Sequence, residues 1–288
     1  MICKQLVHMR FAVGNLLVLS SLLPEAASDP LQTASQRGYV VDIGLNQGGD
    51  SKMYLALGYD VIAIEANPVL SSKAKLQPDF AVASQQGRFE LVEAAIASST
   101  LQNENVTFYV NLVNDEHSSL QKAAGCRRFP KNGYTTSEKN CTEVLVPTTT
   151  CDALISKRGI APVMVKIDIE LGDRDCLLQL QSLPRELLPR YISVEAHSPD
   201  YVQMLSALGY SQFKIVIQNF FSGNSGPFGE MAMNALCSDR PGGWTHQWCP
   251  SGEDITSHWQ YGVFSSKTLR MACPTRTGCW FDIHAKRV

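Results

Sequence analysis

Tyr39-Val40-Val41-Asp42-Ile43-Gly44-Leu45-Asn46-Gln47-Gly48-Gly49, and then Asp60-Val61-Ile62-Ala63-Ile64-Glu65, is the stretch that decides the fold. Each apolar run is short and nearly unbroken, the pattern of a parallel strand buried on both faces. Between them lie a Gly-rich turn and a stretch from about Asp50 to Leu57 that reads as a helix, stopped by Gly58. Strand, Gly-rich turn, helix, strand is the repeating unit of an open α/β sheet.

The same alternation continues downstream. Pro68 suits the first position of another helix. Phe89 to Glu93 reads as a third strand and Val106 to Val110 as a fourth, while Asn114 to Thr142 is polar and irregular. Thr149 or Thr150 suits an N-cap for a helix through Ile155. Val163 to Asp168, Tyr191 to Glu195 and Phe213 to Ile217 read as strands, with helices near Arg174 to Leu183 and Pro199 to Leu208 between them. The prediction is therefore a Rossmann-like, doubly wound, mostly parallel sheet with helices on both faces, over residues 36–218. Residues 219–288 turn to Gly, Pro, Cys and Trp, and contain all four tryptophans: Trp244, Trp248, Trp259 and Trp280. They read as a loop-rich extension of the same domain, packed over the sheet edge or contributing to a binding pocket.

Residues 1–28 differ from the rest. Lys4, His8 and Arg10 precede an apolar run from Phe11 to Leu23, then Pro24 and the small residues Ala26, Ala27 and Ser28. That is the layout of a signal peptide, or of an uncleaved signal-anchor; a buried helix or a transit peptide is the alternative. The run is shorter than the about 20 apolar residues of a comfortable span. Of nine cysteines, cleavage would remove Cys3 and leave Cys126, Cys141, Cys151, Cys176, Cys237, Cys249, Cys273 and Cys279. An even set without a C-x-x-C pair suits disulfides better than a zinc ribbon, although eight cysteines leave the pairing undetermined. Asn105-Val106-Thr107 and Asn140-Cys141-Thr142 are acceptor sequons for N-glycans in the same compartment. The expected location is the secretory pathway, with an organelle-targeted chain as the alternative.

The turn after the first strand points to a cofactor. Ligands of open parallel sheets bind beyond the carboxyl ends of the strands, and Gly44 to Gly48 is the first such end. Glu65 closes the second strand, where a carboxylate can accept hydrogen bonds from both hydroxyls of an adenosyl ribose. A dinucleotide fingerprint needs a second glycine where this chain has Asn46, whose side chain would crowd a pyrophosphate. S-adenosylmethionine carries no phosphate, and Asn46 and Asp42 could meet its amino-acid end. The expected cofactor residues are Asp42, Gly44, Asn46, Gly48 and Glu65. A plain βα turn without a ligand is the bland alternative.

These blocks resemble the FkbM-type methyltransferases of the class I S-adenosylmethionine-dependent fold, from about Tyr39 to Ile217. Besides the turn and Ala63-Ile64-Glu65-Ala66-Asn67-Pro68, the likeness rests on Ser118-Ser119-Leu120, on Val146-Pro147-Thr148-Thr149-Thr150-Cys151-Asp152, and on Val165-Lys166-Ile167-Asp168-Ile169-Glu170. The last is similar to the family's lysine-isoleucine-aspartate-valine-glutamate-glycine signature, with Leu171 where the family has glycine. The resemblance implies O-methylation of a hydroxyl on a sugar, lipid or secondary metabolite.

For such a transfer the candidate catalytic residues are Asp168, Glu170 and His197. Asp168 would orient the acceptor or take its proton, paired with Lys166 on the same strand face. His197 follows the next strand and could serve as general base; His117 is a lesser candidate. Asp168, Glu170, Glu195 and His197 have types suited to a hard cation or iron, but their spacing is not diagnostic and no metal is assigned. A net charge of −2 leaves no basic footprint for nucleic acid and favours a small-molecule or glycan acceptor. Membrane contact is expected only if the N-terminal segment is retained. Two other readings stay open: a secreted domain that kept the fold without the chemistry, and, less favoured, an NAD-type oxidoreductase.

Overall fold

The computed structural model describes residues 37–128, 135–195, 197–198, 200–217, 235–236, 244–245 and 281–287. The segment 1–28, the cysteines beyond Cys176, and Trp248, Trp259 and Trp280 lie outside the described residues.

The strands are β1 (Tyr39–Ile43), β2 (Asp60–Ile64), β3 (Phe89–Val92), β4 (Ala95–Ile96), β5 (Asn105–Asn111), β6 (Arg127–Arg128), β7 (Thr135–Thr136) and β8 (Cys141–Thr149). They continue with β9 (Met164–Ile167), β10 (Tyr191–Glu195), β11 (Gln212–Ile217), β12 (Ala235–Leu236), β13 (Trp244–Thr245) and β14 (Phe281–Lys286). The helices are α1 (Gly49–Ala56), α2 (Pro68–Lys75), α3 (Pro78–Gln85), α4 (Lys122–Gly125), α5 (Cys151–Ser156), α6 (Asp173–Gln179) and α7 (Asp200–Ala207).

Among the described residues, nine strands form the main sheet in the order β13-β12-β11-β14-β10-β9-β1-β2-β3. Strands β3, β2, β1, β9 and β10 run parallel, and β14 runs antiparallel to both β10 and β11. Every residue of β1 and β2 is buried, as their unbroken apolar runs require. One face packs Val41, Ile43, Val165, Ile167, Ile192 and Val194 against α5, α6 and α7. The other packs Val40, Val61 and Ala63 against Tyr54 of α1 and Phe80 of α3. The expected α/β class and Rossmann-like layering therefore hold.

Three readings need correction. The strand from Val106 to Val110 exists, as β5, but it pairs with β8 in a separate three-stranded sheet, β4-β8-β5. An isolated strand signal says nothing about its partner, and Val144 and Val146 of β8 supply the apolar surface that β5 covers. Helix α3 was not read, although Pro78 sits where a helix begins. Lastly, the loop-rich extension does not simply pack over the sheet edge: its β14 inserts into the sheet between β10 and β11. Its Ile283 and Ala285 are fully buried on the face that α7 covers, an alternation hidden in sequence by the Cys- and Trp-rich context before it.

Two disulfides are present among the described residues. Cys126–Cys141 ties α4 to the start of β8, and Cys151–Cys176 joins α5 to α6. Thr150 caps α5, its hydroxyl accepting from the Ala153 N–H at 3.3 Å.

Candidate active site

A cavity of about 620 Å³ opens at the carboxyl ends of β1, β2, β9 and β10. Its opposite wall comes from Phe108 of β5, the 114–121 segment and Arg127, all contributed by the stretch between β3 and α5.

The β1–α1 turn is fixed by backbone bonding. Gly44 and Leu45 both donate to the Ile64 carbonyl, at 3.1 and 3.0 Å. Gly44 has φ +95°, and a Cβ there would meet the Asp168 carbonyl oxygen at 1.9 Å, so glycine is demanded by the neighbouring strand as much as by any ligand. Asn46 takes the left-handed conformation at φ 51° and lines the cavity. Its backbone N–H donates to Glu65 Oε2 at 2.8 Å, while the Asn67 N–H donates to Oε1, also at 2.8 Å. Each carboxylate oxygen thus keeps a lone pair for a further donor. Burial nevertheless pushes Glu65 up to about 7.

Two residues expected at the cofactor lie elsewhere. Asp42 is wholly buried beneath α1, where it accepts from the Ser51 hydroxyl at 2.6 Å and faces Lys166 at 3.8 Å. Its place on β1 turns its side chain into the sheet–helix interface, outside the cavity lining. Gly48 also stands outside the lining. It caps α1 with φ +80°, and a Cβ would meet the Phe80 ring at 2.5 Å. Gly44, Asn46 and Glu65 do line the cavity, beside apolar Ile64, Leu70, Ala95, Ile96 and Phe108.

Asp168 and Glu170 face the same space. Lys166 bridges Asp168 at 3.4 Å, Asp50 at 3.1 Å and Asp42. Burial opposes the Lys166 charge, but these three carboxylates hold it above the ordinary lysine range. Burial pushes Asp168 up, with Lys166 opposing; 43% of its side chain stays open to solvent, which limits the shift. Glu170 is raised to about 8 by burial and the nearby Glu195 charge, against the pull of Arg127, with which it pairs directly. Ser119 Oγ donates to the Glu170 carbonyl at 2.8 Å, linking the Ser118-Ser119-Leu120 block to this turn. Glu170 and Leu171 have φ 47° and 74°, so the family's glycine falls where the backbone favours one.

His197 does not line the cavity. Burial alone would lower it, but Asp173 and Glu195, at 3.4 and 2.8 Å from its Nε2, hold it up at about 10. A ring protonated at neutrality cannot take a proton, so this arrangement does not support the general-base role expected for His197. His117 does line the cavity, and burial lowers it. Sequence reasoning gave no role to Arg127, which lies in no recognisable motif, or to Asp173, whose place in the acidic first turn of α6 was the available hint.

The model of the methyltransferase FkbM domain matches residues 42–221, more than half of the chain. The chain belongs to the FkbM methyltransferase-domain family. A comparison with curated proteins finds no match. Among solved structures, a TehB-like S-adenosylmethionine-dependent methyltransferase from Corynebacterium glutamicum is 11% identical, covering 62% of this chain and 68% of its own, with TM-score 0.29. A geranyl diphosphate C-methyltransferase from Streptomyces coelicolor is 8% identical, covering 87% and 73%, with TM-score 0.36. Likenesses this distant say nothing of the substrate. The FkbM-domain assignment sets aside the NAD-type oxidoreductase reading. The donor set of this FkbM domain fits S-adenosylmethionine: a doubly cradled carboxylate for the ribose, an apolar wall for the base, and a buried Asn46 Oδ1 without a hydrogen bond among the described residues.

Proposed function

We propose that the protein uses S-adenosylmethionine to methylate a hydroxyl group on a sugar, lipid or secondary metabolite. The observation that carries this reading is Glu65, fixed at the end of β2 by two backbone donors and facing the cavity with its remaining lone pairs. S-adenosylmethionine supplies a sulfonium methyl group whose thioether leaves without protonation. The chain's residues then have two tasks: to align an acceptor oxygen with that methyl, and to take its proton. Glu170, held by Arg127 on the cavity wall, is suited to the first, and Asp168, tethered by Lys166 and partly open to solvent, to the second. The modest charge of the chain favours a neutral or small acceptor over a nucleic acid.

The proposed setting is the secretory pathway. The two disulfides support it, and Asn105 is exposed at the start of β5, where a glycan would meet no obstruction from the core.

Titrating S-adenosylmethionine into the full chain and into Glu65→Ala tests the cofactor. The expected outcome is saturable binding that weakens about 100-fold in the variant, as two hydrogen bonds to a charged acceptor are lost. Labelled methyl transfer to a panel of hydroxylated acceptors then follows, with Asp168→Asn expected to lower kcat about 100-fold at unchanged cofactor affinity. A folded protein that binds no S-adenosylmethionine would instead favour the non-catalytic domain.

A further inference from the structure

Three donor atoms converge where β10 ends and α6 begins. Asp173 opens α6 and is wholly buried; its Oδ1 accepts from the Ile169 N–H at 3.1 Å, leaving the buried Oδ2, among the described residues, only the longer contact with His197 at 3.4 Å. Glu195 is the last residue of β10, and its buried Oε2 has, among the described residues, no partner but the His197 ring. His197 brings Nε2 to 2.8 Å from Glu195 Oε2 and 3.4 Å from Asp173 Oδ2, and the three ligand atoms lie within 4.8 Å of one another. Donors that share one first-row divalent ion at about 2.1 Å lie about 3.0–3.4 Å apart.

We propose that Asp173, Glu195 and His197 form a binding site for a divalent transition-metal ion, bordering the cavity through Glu195. One imidazolium faces two carboxylates here, with Asp168 and Glu170 close by. The neighbouring cations are already engaged, Arg127 by Glu170 and Lys166 by Asp42, Asp50 and Asp168. A buried carboxylate left short of positive charge is costly, and a divalent ion satisfies both carboxylates while accepting neutral imidazole in place of its proton. Two carboxylates and an imidazole, with no thiolate, suit manganese or iron. Glu195 also lines the cavity, so coordination positions left open by the protein face the acceptor side. An acceptor hydroxyl bound there would be acidified; only this use of the ion rests on the methyl-transfer reading, and the site itself stands without it.

The test is titration of chelator-treated full chain with Mn²⁺ alone, without S-adenosylmethionine, followed by calorimetry and electron paramagnetic resonance. One ion should bind, with nitrogen hyperfine coupling from His197. Asp173→Asn keeps the Oδ1 cap but loses the charge, and His197→Gln alters a residue at the surface. Each should bind Mn²⁺ at least about 10- to 100-fold more weakly, with S-adenosylmethionine affinity unchanged as the sign that the fold and the cofactor pocket remain. Absence of saturable binding up to millimolar Mn²⁺, a bound ion without nitrogen coupling, or wild-type affinity in His197→Gln would overturn the proposal. Loss of S-adenosylmethionine binding with Mn²⁺ binding intact would count against the methyltransferase reading and leave the metal site standing.

Discussion

The two ends of the parallel strands treat buried carboxylates in opposite ways. At the amino end, Asp60 is ringed by three guanidiniums, from Arg37 at 3.2 Å, Arg158 at 3.6 Å and Arg88 at 3.7 Å. At the carboxyl end, among the described residues, Asp168, Glu170, Asp173 and Glu195 outnumber the cations within reach, and Glu65 is buried with only backbone donors. Backbone strain divides the same way: among the described residues, three of the four non-glycine positions with positive φ, Asn46, Glu170 and Leu171, stand at the carboxyl end. A surplus of positive charge around one carboxylate makes a joint in the structure. A surplus of carboxylates on a strained turn leaves capacity for a ligand.

The largest effect should come from breaking the joint. Asp60→Ala leaves three guanidiniums facing one another and should cost about 3–5 kcal/mol of stability in urea unfolding, toward the lower end because each arginine keeps some contact with water. Its S-adenosylmethionine affinity, measured well below the unfolding transition, should match the wild type. An equal loss of affinity would mean that the two ends are coupled and the contrast false.

Next comes the pH response of Glu65. Its folded pKa of about 7 lies above the ordinary 4.5, so its stabilising contribution is fully present below about 4.5 and is lost as pH rises through 7. The unliganded protein should lose about 3 kcal/mol from this group across that window. Ribose hydroxyls donate to the ionised form, so cofactor affinity should move the other way, rising about tenfold between roughly pH 6 and 8. Glu65→Gln should flatten both profiles; a variant that retains both slopes would transfer the titration to another group.

The smallest effect tests strain. Leu171→Gly relieves a left-handed leucine at φ 74° at the expense of chain entropy, and should stabilise the protein by no more than about 1 kcal/mol. A loss of stability would show that the Leu171 side chain packs more than its partial exposure suggests.

The sequence by itself determined the parallel strands, the Gly44 turn, the Glu65 position and the Asp168–Glu170 block, because each is written in local chemistry: hydrophobic run length, turn residues, a carboxylate at a strand end. Tertiary structure alone decided the rest. It placed β14 inside the sheet, buried Asp42 under α1 beside Ser51 and Lys166, and gave Gly44 its reason in the approach of the Asp168 carbonyl. It also brought Asp173 to Glu195 and His197, a meeting of the first turn of α6 with the end of β10. Spacing along the chain cannot specify such contacts, since they depend on which strands become neighbours and on the depth at which each side chain is buried.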